Sequence, residues 1–244
     1  MRKYIRHFTL IVGCALILSS CSNSAVQAGE SLDEGLVKPV VVIDPGHGGM
    51  DGGSVSVDGT LEKGINLSVS LKLADMLELF GYEVLLTRST DVSIHDDGIE
   101  GVREQKLSDM ENRLELFNTK DAVCVSVHQN LYTDSFYSGA QMFYYRQSSE
   151  SEKLAECLRV RICSNLQPDN ERELKPIDDE LYLLCNCENP AVMAECGFLS
   201  NPDEAALLED DYYQTQMAFS IMCGLNDFHI ESGRISAKNA ENKR

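Results

Sequence analysis

His47, Glu62, His128 and Glu195 have the residue types and positions to assemble a hydrolytic metal centre. His47 follows the apolar run Val40-Val41-Val42-Ile43 across the turn Asp44-Pro45-Gly46. Glu62 opens a helical pattern after a glycine-rich loop. His128 ends the apolar run Ala122 to Val127, and Glu195 ends the run Ala191 to Ala194. Two imidazoles and one carboxylate form a donor set for zinc that leaves a position for water. Glu195 would stand beside that water as a carboxylate able to take its proton.

Position alone leaves a second reading open, because histidines at strand ends are commonly structural. Three features favour the metal. Beyond the N-terminal segment only His47, His95, His128 and His229 remain, and two of them fall at strand ends. The glycines at 46, 48, 49, 52 and 53 permit close approach of the backbone. Gly197-Phe198-Leu199-Ser200-Asn201-Pro202 would present Glu195 on a tight turn. Asp44 is expected either to accept a hydrogen bond from His47 or its loop, or simply to terminate a strand. Asn130 either orients substrate or serves its own turn. His95, in Ile94-His95-Asp96-Asp97, reads as part of a solvated loop. His229 reads as a cap or surface residue after the last helix.

The elements that must position these residues alternate. Strands are expected at Val40–Ile43, Glu83–Thr87, Ala122–Val127, Ala140–Tyr145, Leu181–Leu184 and Ala191–Glu195. Helices are expected at Glu62–Phe80, Ser108–Asn118, Ser151–Leu166, after Asn201-Pro202, and at Asp211–Phe228. Ser108 would cap its helix with Glu111 three residues on, and Arg88–Lys106 reads as a long loop. This order predicts a single α/β domain: a largely parallel, twisted sheet of about six strands with helices on both faces. Sites in such sheets form beyond the carboxyl ends of the strands, where three of the four candidates sit.

The chain has 244 residues, of which 43% are hydrophobic, enough for one sizeable core. Its net charge of −18 excludes binding to nucleic acid by bulk electrostatics. Arg2, Lys3 and Arg6 precede an apolar run from Phe8 to Leu18, a secretory pattern too short to span a bilayer comfortably. It ends Leu18-Ser19-Ser20-Cys21, which resembles a bacterial lipobox with Cys21 as the lipidated residue. The reading divides the chain into a signal peptide (1–21), a polar tether (22–38), a catalytic domain (39–230) and a basic tail (231–244). Lipid chains contribute about 0.8 kcal/mol per buried methylene, so two or three suffice to hold a protein at a membrane. Seven cysteines remain beyond Cys14 and Cys21. They sit mostly in apolar segments and read as free, core-filling thiols. Cys185 and Cys187, two apart on an expected strand, would share one face. Cys196 has no flanking histidine and reads as packing rather than as a nucleophile.

Four ordered motifs carry a family resemblance: Asp44-Pro45-Gly46-His47-Gly48-Gly49, then Glu62, then Ser126-Val127-His128-Gln129-Asn130, then Glu195-Cys196-Gly197-Phe198-Leu199-Ser200-Asn201. Together they resemble the zinc-dependent N-acetylmuramoyl-L-alanine amidases, from about Val40 to Phe228. Gly139-Ala140-Gln141 and Lys175-Pro176-Ile177 look most like the germination-specific, spore-cortex branch. The resemblance implies that His47, Glu62 and His128 bind Zn2+ and that Glu195 is the general base and then the acid. It implies cleavage of the amide between N-acetylmuramic acid and L-alanine in peptidoglycan. Leu131 departs from the alanine often found there. The implied setting is the outer face of the cytoplasmic membrane or the cell wall, with muramyl-peptide as substrate, the membrane reached through the N-terminal lipid, no nucleic acid, and room for an activator protein. Two rivals are a zinc carboxypeptidase-like peptide hydrolase and a non-catalytic surface lipoprotein that binds wall fragments. The first usually places its first His and Glu three apart; here they are fifteen apart. The second is disfavoured because all four key residues are present.

Overall fold

A computed structural model describes residues 39–235. The expected signal peptide, the tether, Cys21 and the end of the basic tail lie outside the described residues. Six strands form one sheet: β1 (Val40–Pro45), β2 (Glu83–Leu86), β3 (Ala122–Asn130), β4 (Gln141–Tyr145), β5 (Lys175–Ile177) and β6 (Ala191–Phe198). Their order is β2-β1-β3-β6-β4-β5. Strands β2, β1, β3 and β6 run parallel to one another; β4 is antiparallel to β6 and parallel to β5. The helices are α1 (Glu62–Leu79), α2 (Val102–Phe117), α3 (Ser149–Asn165), α4 (Tyr182–Asn186), α5 (Pro202–Glu209) and α6 (Asp211–Glu231). Among the described residues, no helix is long and apolar enough to cross a membrane.

Side chains alternate across a strand, so consecutive valines serve opposite layers. Val41 and Ile43 join Leu73 of α1, Leu158 of α3 and Met217 of α6 in one buried cluster. Val42 and Cys124 face the other way, onto Phe117 of α2 and Leu183 and Leu184 of α4. The sheet is therefore covered on both faces, which is why β1, β3 and β6 read as nearly continuous apolar runs. Each fully buried Leu or Val in these layers stabilises the fold by about 1.5–3 kcal/mol.

Several local expectations are corrected. The expected strand at Leu181–Leu184 is the short helix α4. Four apolar residues satisfy a strand or a helix turn equally, and tertiary packing decides. Cys185 and Cys187 therefore do not share a strand face; Cys185 lies in α4 and Cys187 follows its end. Helix α2 begins at Val102, capped by Gly101, rather than at Ser108. Val102, Leu107 and Met110 are exposed, which hides its first turns from apolar periodicity. Ser108 is buried within the helix, where its Oγ accepts from the Asp96 N–H at 3.0 Å and pins the preceding loop. Lys175–Ile177 was not expected as a strand and forms the edge, β5. His229 is wholly buried against Tyr82, not a surface cap. Burial pushes its pKa down to about 4, so it is neutral at pH 7.

Candidate metal centre

The C-terminal ends of β1, β3 and β6 lie side by side. Register pairs Asp44 with Ser126 and His128 with Glu195. The chain leaves β1 through Pro45 and Gly46, and His47 takes φ +62°, the left-handed region that is costly for a residue with a Cβ. Two buried arginines hold that loop by its carbonyls. Arg88 Nε donates to Pro45 O at 2.9 Å and its Nη2 to Gly46 O at 2.9 Å. Arg113 Nη2 donates to His47 O at 2.7 Å. Arg113 also pairs with Asp44, whose carboxylate accepts from Thr87 Oγ1 at 2.7 Å and Ser126 Oγ at 2.6 Å. Burial pushes the Asp44 carboxyl up, and the Arg113 charge with these hydroxyls outweighs it, leaving it below its ordinary value. Asp44 thus serves the His47 loop through Arg113. The carboxylate beside the His47 ring is Asp51, 3.2 Å from Nδ1.

Glu62 stands in the first turn of α1, where the helix dipole favours a carboxylate. Its two oxygens divide between the histidines: Oε1 is 2.9 Å from His128 Nδ1 and Oε2 is 3.2 Å from His47 Nε2. The Gln129 N–H donates to Oε1 at 3.1 Å and the Ser54 N–H to Oε2 at 2.8 Å. Asn66, one turn on, donates to Oε1 and to Gly46 O, both at 3.2 Å. Burial raises the Glu62 pKa, but the hydrogen bonds and charges of His128 and His47 prevail and hold it well below the usual carboxylate range. One donor atom each from His47, Glu62 and His128 lies within 4.8 Å of the others, a group that could hold a metal ion.

Glycine is required at two places here. A Cβ on Gly46 would fall 2.2 Å from His128 Nε2. Gly53 has φ +70°, and its Cβ would fall 2.6 Å from both Glu62 Oε2 and His47 Cδ2. The histidine rings themselves meet edge-on, with centroids 4.8 Å apart.

Glu195 lies between His128 on β3 and Gln141 on β4 in the strand register. Its Oε2 is buried and accepts no hydrogen bond from the described residues. Burial raises its pKa to about 7, with Glu62 adding to the rise and His128 and His47 opposing it. A carboxyl near neutrality can both take and return a proton. Cys196 is wholly buried and burial pushes its thiol far up, which makes it an inert packing group. Asn130 closes β3, and its carbonyl accepts from the Leu199 N–H at 2.8 Å. His95 lies apart from the cluster, half-buried, with Nδ1 2.8 Å from Ser93 Oγ. It is tied into its loop rather than free in solvent. Arg88, Arg113, Asp51 and Asn66 escaped the sequence reading. Asn66 alone left a signal there, an amide one turn from Glu62 among the apolar positions of α1.

The sequence profile of the N-acetylmuramoyl-L-alanine amidases matches residues 41–227. The chain belongs to that family. It is 34% identical to the germination-specific N-acetylmuramoyl-L-alanine amidase of Bacillus subtilis, over 96% of this chain and 98% of that one. Among solved structures it resembles the CwlD amidase of Clostridioides difficile, determined in complex with the GerS lipoprotein. That match has a TM-score of 0.76 and 36% identity, and covers 80% of this chain and all of that one. The amidase AmiC2 of Nostoc punctiforme aligns with a TM-score of 0.67 and 29% identity, over 80% of this chain and 98% of that one. The protein is accordingly an N-acetylmuramoyl-L-alanine amidase acting on peptidoglycan. In this amidase the ends of three neighbouring parallel strands converge on the residues described above.

Proposed function

We propose that the amidase is zinc-dependent, with His47, Glu62 and His128 as ligands and Glu195 as general base and acid. The observation that carries this is the unpartnered, buried Oε2 of Glu195 beside a converging His–Glu–His donor set. A buried carboxylate oxygen without a donor is costly unless a function uses it. The donor set suits Zn2+, which favours imidazole nitrogen and carboxylate oxygen in a site left open at one position. When bound, zinc would supply Lewis acidity for the scissile carbonyl and for water. The chain's own residues do the rest. Asp51 orients the His47 ring so that Nε2 faces the cluster. Asn66, Gln129 and Ser54 fix the Glu62 carboxylate. Glu195 takes the proton of the attacking water and returns it to the departing L-alanine nitrogen. Asn130 borders this site and is assigned to holding its rim.

The substrate is assigned to the spore-cortex branch on the likeness to the germination-specific relative. The complex of the C. difficile neighbour with a lipoprotein supports a protein partner for this chain as well. The lipobox at Cys21 supports a lipid-anchored enzyme on the outer face of the membrane, with residues 22–38 as tether; the tail starts later than residue 231, because α6 runs through Glu231 and Ile235 packs against the core.

The test is Glu195→Gln. It should stay folded and zinc-loaded while losing roughly 10²–10⁴ in rate on purified muropeptide. His128→Ala should instead lose zinc. A folded, zinc-loaded, fully active Glu195→Gln protein would refute the assignment.

A further inference from the structure

Arg172 is fixed against the end of β6, yet among the described residues no carboxylate lies within ion-pair distance of it. Its backbone N–H donates to Asn170 Oδ1 at 3.0 Å, and the next carbonyl, of Glu173, accepts from Gln141 Nε2 at 3.0 Å. Gln141 is the residue paired with Glu195 across β4 and β6. The side chain is fixed as well. Nε donates to Ser138 O at 2.6 Å. The guanidinium lies 4.3 Å from the centroid of the Phe198 ring and 5.4 Å from that of Tyr137. Those two rings stack on each other at 6.2 Å. Asp169, Glu171 and Glu173 share its loop and Glu204 lies nearby, but none comes within ion-pair distance of it. Glu204 spends its carboxylate on the N–H groups of Gly139 and Phe198, at 2.8 and 2.7 Å.

Arg172 is pinned, with no direct ion pair among the described residues, on a protein whose net charge is −18. Its Nη groups form a fork suited to two-point recognition of a carboxylate. It borders a groove of about 810 Å³, whose walls include Tyr137, Asn170 and Asn201. Phe198, on which it rests, pairs with Asn130 across a bulge, two ladder positions beyond the His128–Glu195 pair and so about 7 Å along the strand. That distance is about the length of two extended peptide residues.

We propose that Arg172 is a specificity-determining residue of the amidase, which binds a free carboxylate on the stem peptide just beyond L-alanine. The peptide lies along the Tyr137–Phe198 wall, and the Arg172 fork reads whether the residue after L-alanine is acidic or amidated. The proposal rests on the amidase reading of the site.

The experiment uses the zinc-loaded protein and two synthetic N-acetylmuramoyl-L-alanyl peptides. One carries a free carboxylate on the residue after L-alanine, and the other carries its amide. The parent should prefer the acid. Arg172→Ala should raise KM for the acid about 10- to 100-fold, the weight of one hydrogen-bonded charge pair. Its kcat should change less than about twofold, and its KM for the amide should hardly move. Arg172→Lys keeps the charge and should retain part of the preference. Equal losses on both peptides, or none on either, overturn the proposal, because loosening the Phe198 wall has no means of telling acid from amide. If the parent cleaves neither peptide, the amidase reading of the site fails separately. Calorimetry then still decides on Arg172: a weaker Kd for the acid in Arg172→Ala supports it, and equal Kd values for parent and variant overturn it.

Discussion

Arg113 donates through Nη2 to the carbonyl of His47 at 2.7 Å, and its Nη1 pairs with Asp44. One guanidinium thus ties the end of β1 to a residue held at positive φ. Removing it leaves Asp44 charged, buried and unpaired. Arg113→Met should cost about 3–5 kcal/mol of stability, the penalty for breaking a buried pair. Chemical denaturation of parent and variant measures it. A loss below 1 kcal/mol would show that the pair does not hold the loop.

Asp44 also sets a pH dependence. Its pKa in the folded protein lies below the ordinary value of 3.8. Its contribution is therefore full well above pH 3.8 and disappears as pH falls through the lower, folded value. Asp44→Asn should lower stability at pH 7 and flatten the decline between about pH 5 and pH 2. Thermal unfolding across that range checks the slope. An unchanged slope would place the acid sensitivity elsewhere.

Gly46→Ala tests the contact between loop and imidazole. Its Cβ would lie 2.2 Å from His128 Nε2, so the ring must move. The variant should fold, because the change sits at a strand end, and lose metal. Activity should fall about 100-fold, as expected when a reacting group is displaced by an ångström. Full zinc content and full activity would mean that the ring has room the structure does not give it.

Asp51 offers a test of the proposed zinc. It is one-third exposed, 3.2 Å from His47 Nδ1 and 3.3 Å from Lys106 Nζ. Asp51→Ala should leave the fold intact and weaken zinc binding about 10- to 100-fold. Competition with a chromogenic chelator reads this directly. Chelation should also lower the melting temperature of the parent, since a ligand at 100 times its Kd stabilises by about 2.7 kcal/mol. A melting temperature indifferent to chelator would contradict a bound metal.

The sheet was legible because both of its faces are covered. Val40–Ile43 and Ala122–Val127 are rich in β-branched residues, unlike Leu181–Leu184, and that composition favours buried strands. His47, Glu62, His128 and Glu195 were marked by their places at strand and helix ends, and the fold brings them together. The arginine cradle was not legible. Arg88 sat in what read as a polar loop and Arg113 in an acidic helix, and neither betrayed that its targets were carbonyls more than forty positions upstream. Backbone acceptors leave no trace in sequence. Helix α4 was misread for a different reason: four apolar residues carry no period. His229 looked like a terminal cap because the helix was expected to stop at Phe228, whereas it continues to Glu231 and carries the imidazole into the core.

His128 and Glu195 are register partners on two central strands. Their separation is therefore a property of the backbone ladder and not of any loop. Amide exchange in this stretch should be among the slowest in the protein, because opening it means unzipping the middle of the sheet. The segments at 131–140 and 166–174, by contrast, lie outside the ladder and reach it through side chains: Tyr137 and Arg172 on Phe198, and Gln167 on the Cys196 carbonyl. Replacements there can reshape the groove without altering the spacing of His128 and Glu195. The candidate site is thus built on the middle of the sheet, while the groove around Arg172 is walled largely by the side chains of loops.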